Sequence, residues 1–226
     1  MYGYPSPYRK GYASSLFSPI SLVVSTSKGD DGSTIQAITT DAIDTTGCSL
    51  LVVAISCNHA SAGESTITDS KSNTWVELTE RESGSYIQLV YAKNPTVGTN
   101  HTFSWAGTGG KAYPTLMVAG FNRTDTSANA DQENGATSAS ASTLATGSIT
   151  PTTANQLIVT AVSHGQGSVT IDSGFTEIAD VGQVGAQHVA GAMAYKVQTS
   201  AAAVNPTWNA GGAGTIAAAI ASFKHV

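Results

Sequence analysis

Four blocks of this chain occur twice, in the same order. SLLVVAIS (49–56) matches QLIVTAVS (156–163), and STITDSKSNTWVELTE (65–80) matches SVTIDSGFTEIAD (168–180). LVYAKNPTVGTNHTFSW (89–105) matches MAYKVQTSAAAVNPTWN (193–209), and TLMVAGFN (115–122) matches TIAAAIASFK (215–224). The offset stays near a hundred residues throughout. That period is too long for a propeller blade or a solenoid unit, which fall at about 20–50 residues. The repeat therefore reads as a duplicated half, with pseudo-repeats at about 36–122 and 145–224.

Each half carries strand patterns. LLVVAIS and LIVTAVS are apolar runs rich in β-branched residues, of strand length and suited to burial. TWVELTE and YIQLVYA alternate as half-exposed strands do. Turn signals separate them: DSKSN, NPTVGTN, GTGG, SHGQG, IDSG and NAGG. Pro95 and Pro206 fall in connections, where a missing N–H is tolerated. The alanines of TIAAAIAS would suit a helix, but its partner TLMVAGF is strand-like, so the repeat decides for strand. Many short strands at regular spacing imply packed antiparallel sheets. The expectation is an all-β protein: a single jelly-roll-like antiparallel β-sandwich over 19–226, preceded by an extended arm over 1–18.

The arm reads MYGYPSPYRKGY. Tyr2, Tyr4, Tyr8 and Tyr12, two prolines, and Arg9 with Lys10 stand in a dozen residues, with no strand or helix period. It holds no acid, whereas the rest of the chain carries all fifteen acids and only eight of the ten bases. Disordered segments are depleted in aromatics, while Tyr and Arg are enriched at interfaces. Prolines keep such a segment extended. These residues point to a docking device, with Tyr2, Tyr4, Tyr8, Arg9, Lys10 and Tyr12 as its partner-binding set.

Charged residues make up only 11% of the chain, against the usual quarter, and the net charge is −5. No basic stripe exists to release counterions from phosphate, so a nucleic-acid partner is not expected. No apolar run approaches membrane-span length, and the N-terminus has no signal-peptide h-region behind its Met, so neither a membrane nor secretion is expected. Cys48 and Cys57 flank one predicted strand, about 30 Å apart at ~3.3 Å per residue. A disulfide needs Cα atoms within about 7 Å, so both thiols are expected buried, reduced and apart.

Taken in order, DAIDTTG, SLLVVAIS, TDSKSNTWVELTE, LVYAKNPTVG, DQENGA, GSITPTTANQLIVTAVS, DSGFTEIAD and the terminal ASFK resemble a family of β-sandwich proteins. Its members occur among bacteriophage virion (decoration or tail) proteins and bacterial surface proteins. DSKSNTW and PTTANQLIV are the more specific parts; the arm lies outside the resemblance. What the resemblance implies is a non-enzymatic virion or surface module.

Constellations that could carry chemistry are few. Asp69, Lys71 and Asn73 have the alternate spacing of a calcium loop but lack its glycine and distal glutamate; a turn with Asp and Asn bonded to backbone N–H groups is the reading. His59, His101, His164, His188 and His225 are scattered and read as surface or loop residues. No nucleophile elbow or zinc helix is present. Glu77, Glu80, Glu82 and Glu177 could supply a glycosidase-like carboxylate pair, but sit on strands whose exposed faces want charge. Trp105 and Trp208 are equivalent in the repeat and read as core. The expectation is no enzyme, no metal and no cofactor. The first reading is a homo-oligomeric virion structural protein, a capsid decoration (cement) protein docked through its arm on the major capsid protein or neighbouring subunits. The alternative is a carbohydrate- or receptor-binding adhesin of a phage tail or cell surface, with Trp75 and Tyr86 as its platform.

Overall fold

The computed structural model describes residues 18–30, 37–58, 65–108, 112–165, 167–172, 174–182 and 190–226. Every regular element among them is a β-strand. The first half holds β1 (Leu22–Gly29), β2 (Ala37–Thr39), β3 (Leu50–Asn58), β4 (Ser65–Asp69), β5 (Val76–Glu77), β6 (Arg81–Glu82), β7 (Ser85–Lys93), β8 (Phe103–Gly107) and β9 (Ala112–Phe121). The second holds β10 (Gln132–Ala145), β11 (Gln156–His164), β12 (Thr170–Ile171), β13 (Thr176–Val181), β14 (Ala190–Gln198) and β15 (Thr207–Phe223). TIAAAIAS lies within β15, as its repeat partner requires.

One six-stranded sheet has the order β1-β9-β3-β7-β5, with β6 also on β7; the other runs β10-β15-β11-β14-β13, with β12 on β15. All pairs are antiparallel. The two orders are the same order written in equivalent strands. Register carries the equivalence to single residues. Leu50 faces Phe121 and Leu157 faces Phe223; Val52 faces Tyr91 and Val159 faces Tyr195.

The sheets stack face to face, forming the antiparallel sandwich that the sequence pattern implies. Leu50, Val52, Leu89, Tyr91, Met117 and Phe121 of the first meet Leu157, Val159, Met193, Ala219 and Phe223 of the second in one apolar layer. Tyr91 touches Phe223 edge-on at 5.2 Å between centroids, and Phe121 touches Tyr195 at 5.4 Å. Each contact is the other with the halves exchanged, the reciprocity of an isologous, two-fold interface. The equivalent serines Ser56 and Ser163 meet across it, their hydroxyls hydrogen-bonded at 2.8 Å. Gly191 is required there: a Cβ would lie 2.9 Å from both Ser56 Cβ and Met117 Cε.

Each large sheet is buried on its outer face as well. Over the first lies a three-stranded sheet, β2-β8-β4, whose Ile38, Phe103, Trp105 and Ile67 cover Leu51, Val53, Ile55 and Val118. Over the second, Trp208, Ala210 and Leu144 cover Val162, Ala192 and Ala218. Here β10 and β15 run through from the large sheet into the outer layer, bending where their register shifts between Ser138 and Thr143 and where Gly211 takes φ +71°. In the first half the same ribbon is split into β1 and β2, and into β8 and β9. β3 and β11 thus lie between two apolar layers, which is why their runs show no alternation.

Candidate functional site

The arm residues Tyr2, Tyr4, Tyr8, Arg9, Lys10 and Tyr12 lie outside the described residues. Their root does not. Ile20 is buried in the central layer. Ser21 donates to Asn122 Oδ1 through its N–H at 2.9 Å and its hydroxyl at 3.1 Å, and Asn122 N–H donates back to Ser21 O at 3.1 Å. His225 Nε2 donates to Ser18 O at 3.0 Å. The chain therefore enters the fold beside its own C-terminal segment, held at three successive points.

The aromatic platform is corrected. Tyr86 is fully buried, with its hydroxyl donating to Gln88 Oε1 at 2.8 Å. Both faces of its ring lie in protein because β7 is covered on both sides. Trp75 is half-buried against the outer core, edge-on to Phe103 at 6.1 Å, and its indole N–H donates to Asp69 Oδ2 at 2.8 Å. Trp75 and Tyr86 therefore present no pair of exposed ring faces to a sugar. Trp105 and Trp208 are core residues, 1% and 0% exposed.

The DSKSNTW segment folds around Asp69. Its Oδ1 accepts from Lys71 N at 2.8 Å and Asn73 Nδ2 at 3.1 Å; its Oδ2 accepts from Asn73 N at 3.1 Å and from Trp75. That is the expected turn. A fifth donor is the one that sequence reasoning missed: His101 Nε2, 2.9 Å from Oδ1, with both side chains fully buried. Facing a carboxylate, Nε2 must carry a hydrogen. His101 Nδ1 lies 2.9 Å from Thr45 Oγ1. Asp69, His101 and Thr45 thus line up as carboxylate, imidazole and hydroxyl. The hydroxyl is not a nucleophile in waiting. Thr45 is 0% exposed, accepts from Gly98 N at 3.1 Å and lies 3.2 Å from Gly98 O. The trio pins three turns together.

The expectation that the histidines are surface or loop residues fails for His101 and His164, both fully buried. Burial depresses the His164 pKa to about 4. The signal lay in the repeat, which aligns His164 with buried Cys57. Neither cysteine is in a disulfide and both are buried; burial first, and then the Asp44 charge, raises the Cys48 thiol to about 11.

The carboxylates do not converge as a four-residue set. Glu77, Glu80 and Glu82 stand on or between β5 and β6, at one edge of the first sheet. Glu177 stands on β13, beneath the opposite edge, where a Cβ on Gly29 of β1 would lie 2.8 Å from Val181. Glu177 instead neighbours Asp180. Burial raises both pKa values, and the Asp180 charge raises Glu177 further. Asp131 behaves oppositely. Burial alone would raise it, but hydrogen bonds from the Thr152 hydroxyl and N–H at 2.7 Å, Gln156 Nε2 at 2.8 Å and Lys224 Nζ at 3.2 Å lower it to about 2. It clamps the connection between the halves to the C-terminal strand. Among the described residues no group of three His, Cys, Asp or Glu could hold a metal ion, and no helix is long and apolar enough to cross a membrane.

Compared with known protein families, curated proteins and solved structures, the chain finds no match.

Proposed function

We propose that this chain is a structural protein of a bacteriophage virion, a capsid decoration protein held to the major capsid protein or to neighbouring subunits by residues 1–18. The observation that carries this reading is the arm's root. A basic, tyrosine-rich segment without a period of its own is joined to the sandwich by a buried isoleucine and by hydrogen bonds at Ser18 and Ser21. Force that reaches Ser18 is thereby passed to the core. An extended segment still has its backbone groups to satisfy, and strand addition or a groove satisfies them at low ordering cost. A sandwich apolar through three layers and poor in charge suits a particle exterior. The adhesin reading is not favoured, because Tyr86 offers no face to a ligand.

The test is deletion of residues 1–17, which leaves Ser18 on His225. The truncated protein should no longer co-sediment with capsids, while its melting midpoint stays within about 2 °C of the full chain, since small surface changes alter stability by under about 0.5 kcal/mol. Normal co-sedimentation of the truncated protein would overturn the proposal.

A further inference from the structure

The two faces of the central layer are alike at one end and unlike at the other. At the end beside Ser21 and Asn122, Tyr91 and Phe121 of the first half meet Phe223 and Tyr195 of the second. Exchanging the halves leaves those contacts as they are, so nothing there tells one half from the other. At the opposite end the positions still correspond, but the side chains differ in size. Ser56 pairs with Ile87 and Thr115 in the first sheet; its equivalent, Ser163, pairs with Gly191 and Ala217 in the second. Ala54 pairs with Met117, and its equivalent Ala161 with Ala219. Ile87, Thr115 and Met117 thus stand where the second half has Gly191, Ala217 and Ala219, and all six are buried. The small residues receive the large ones. A Cβ on Gly191 would lie 2.9 Å from Met117 Cε and 3.2 Å from Thr115 Cγ2. Ser56 Oγ comes within 3.0 Å of Ala190 O beside that gap. Exchanging the halves turns the contact into Ile87 over Ala217 and Ala219, in the same apolar layer. There β7 supplies the large side chain, and two alanines of β15 leave the room.

We propose that these residues decide which half pairs with which: Ile87 and Met117 are knobs, Gly191 and Ala219 are the holes that take them, and each inner face therefore accepts the unlike half and rejects a like one. Two first halves face to face would set Ile87 of each against Met117 of the other, and overpacking of that kind is destabilising. Two second halves would set Gly191 against Ala219 twice and leave the space empty, and a cavity in a core is costly as well. Selectivity of this form combines fit to the right partner with misfit to the wrong one. It matters in a chain that carries one of each face. Like-with-like pairing would tie every chain to two others and extend without closing, whereas unlike pairing closes within one chain.

Moving the knobs tests this in the full-length protein. One variant carries I87G and M117A, so that both faces have holes. A second carries G191I and A219M, so that both have knobs. A third carries all four substitutions. The third has the composition of the wild type, with the same total core volume and the same number of strand glycines. Each double variant should lower the urea midpoint. The fourfold variant should recover more than half of the summed loss, with an unchanged m value, because a knob again meets a hole. Where a double variant does not fold, a folded fourfold variant carrying the same substitutions is the same result. Losses that add across the four substitutions overturn the inference, because the sites then act one by one. A fourfold variant that fails to fold overturns it too, since knobs and holes would then not be interchangeable between the halves.

Discussion

Asp69 receives five donors, and four of them come from within six residues. Those four belong to a motif that can be read in sequence, because Asp and Asn bond nearby backbone groups by chain geometry alone. The fifth, His101, is 32 residues away. Nothing local announces it, and the repeat is silent because the equivalent bridge pairs Ile149 with Val204, where the first half has Ile43 with His101. His164 carries a prediction. Its folded pKa, about 4, lies below the unfolded value of about 6.5. The unfolded chain therefore takes up the proton first. Stability is fully present above pH 6.5 and is lost as pH falls toward 4, by about 3 kcal/mol. Asp131, with a folded pKa of about 2, loses its share only below about pH 4. Replacing His164 by the residue at its repeat position, His164→Cys, should flatten the urea midpoint between pH 6.5 and 4 and leave the fall below pH 4. An unchanged slope in the upper window would show that another group sets it.

Among the elements, β3 and β11 were the most legible and also the most ambiguous. Eight apolar or small residues in a row identify a buried strand, but a run without alternation does not say which side chains face which neighbour. Sequence thus yields the strands, their repetition in a duplicated half and the all-β class. It does not yield the outer layers, since Leu51 and Val52 look alike in sequence yet lie in different cores. The facing of the two sheets is fixed instead by where the chain is thin. Gly191 on β14 lets Ser56 and Met117 of the first sheet approach. Gly191→Ala would put a methyl group against the Cβ of Ser56, which cannot move without its strand. Overpacking of this sort costs typically 1–3 kcal/mol. The expected outcome is a fall of that size in denaturation free energy with an unchanged m value. A neutral result would mean that the sheets slide apart freely at this point.

For the whole molecule, the question is whether a duplicated chain unfolds as two units or one. Each half has a private outer core, around Trp105 in the first and Trp208 in the second. The largest apolar layer belongs to neither alone. If the halves parted, Tyr91 would lose Phe223, Phe121 would lose Tyr195, and Ser56 would lose Ser163. The inner faces of β3, β7 and β9 would then meet water together. At ~25 cal/mol per Å² of apolar surface, exposing a layer of that extent costs more than a half of about a hundred residues has to spare. One cooperative transition is therefore expected. The tryptophans can report it separately. In the Trp75→Phe, Trp208→Phe double variant, fluorescence follows the first half; in the Trp75→Phe, Trp105→Phe variant, it follows the second. Within each variant, the fluorescence transition in guanidinium should coincide with that of the far-ultraviolet circular dichroism, which averages over both halves. Fluorescence that leads or lags in either variant would show that its half melts alone, and that the shared layer is a docking surface between two domains rather than the core of one.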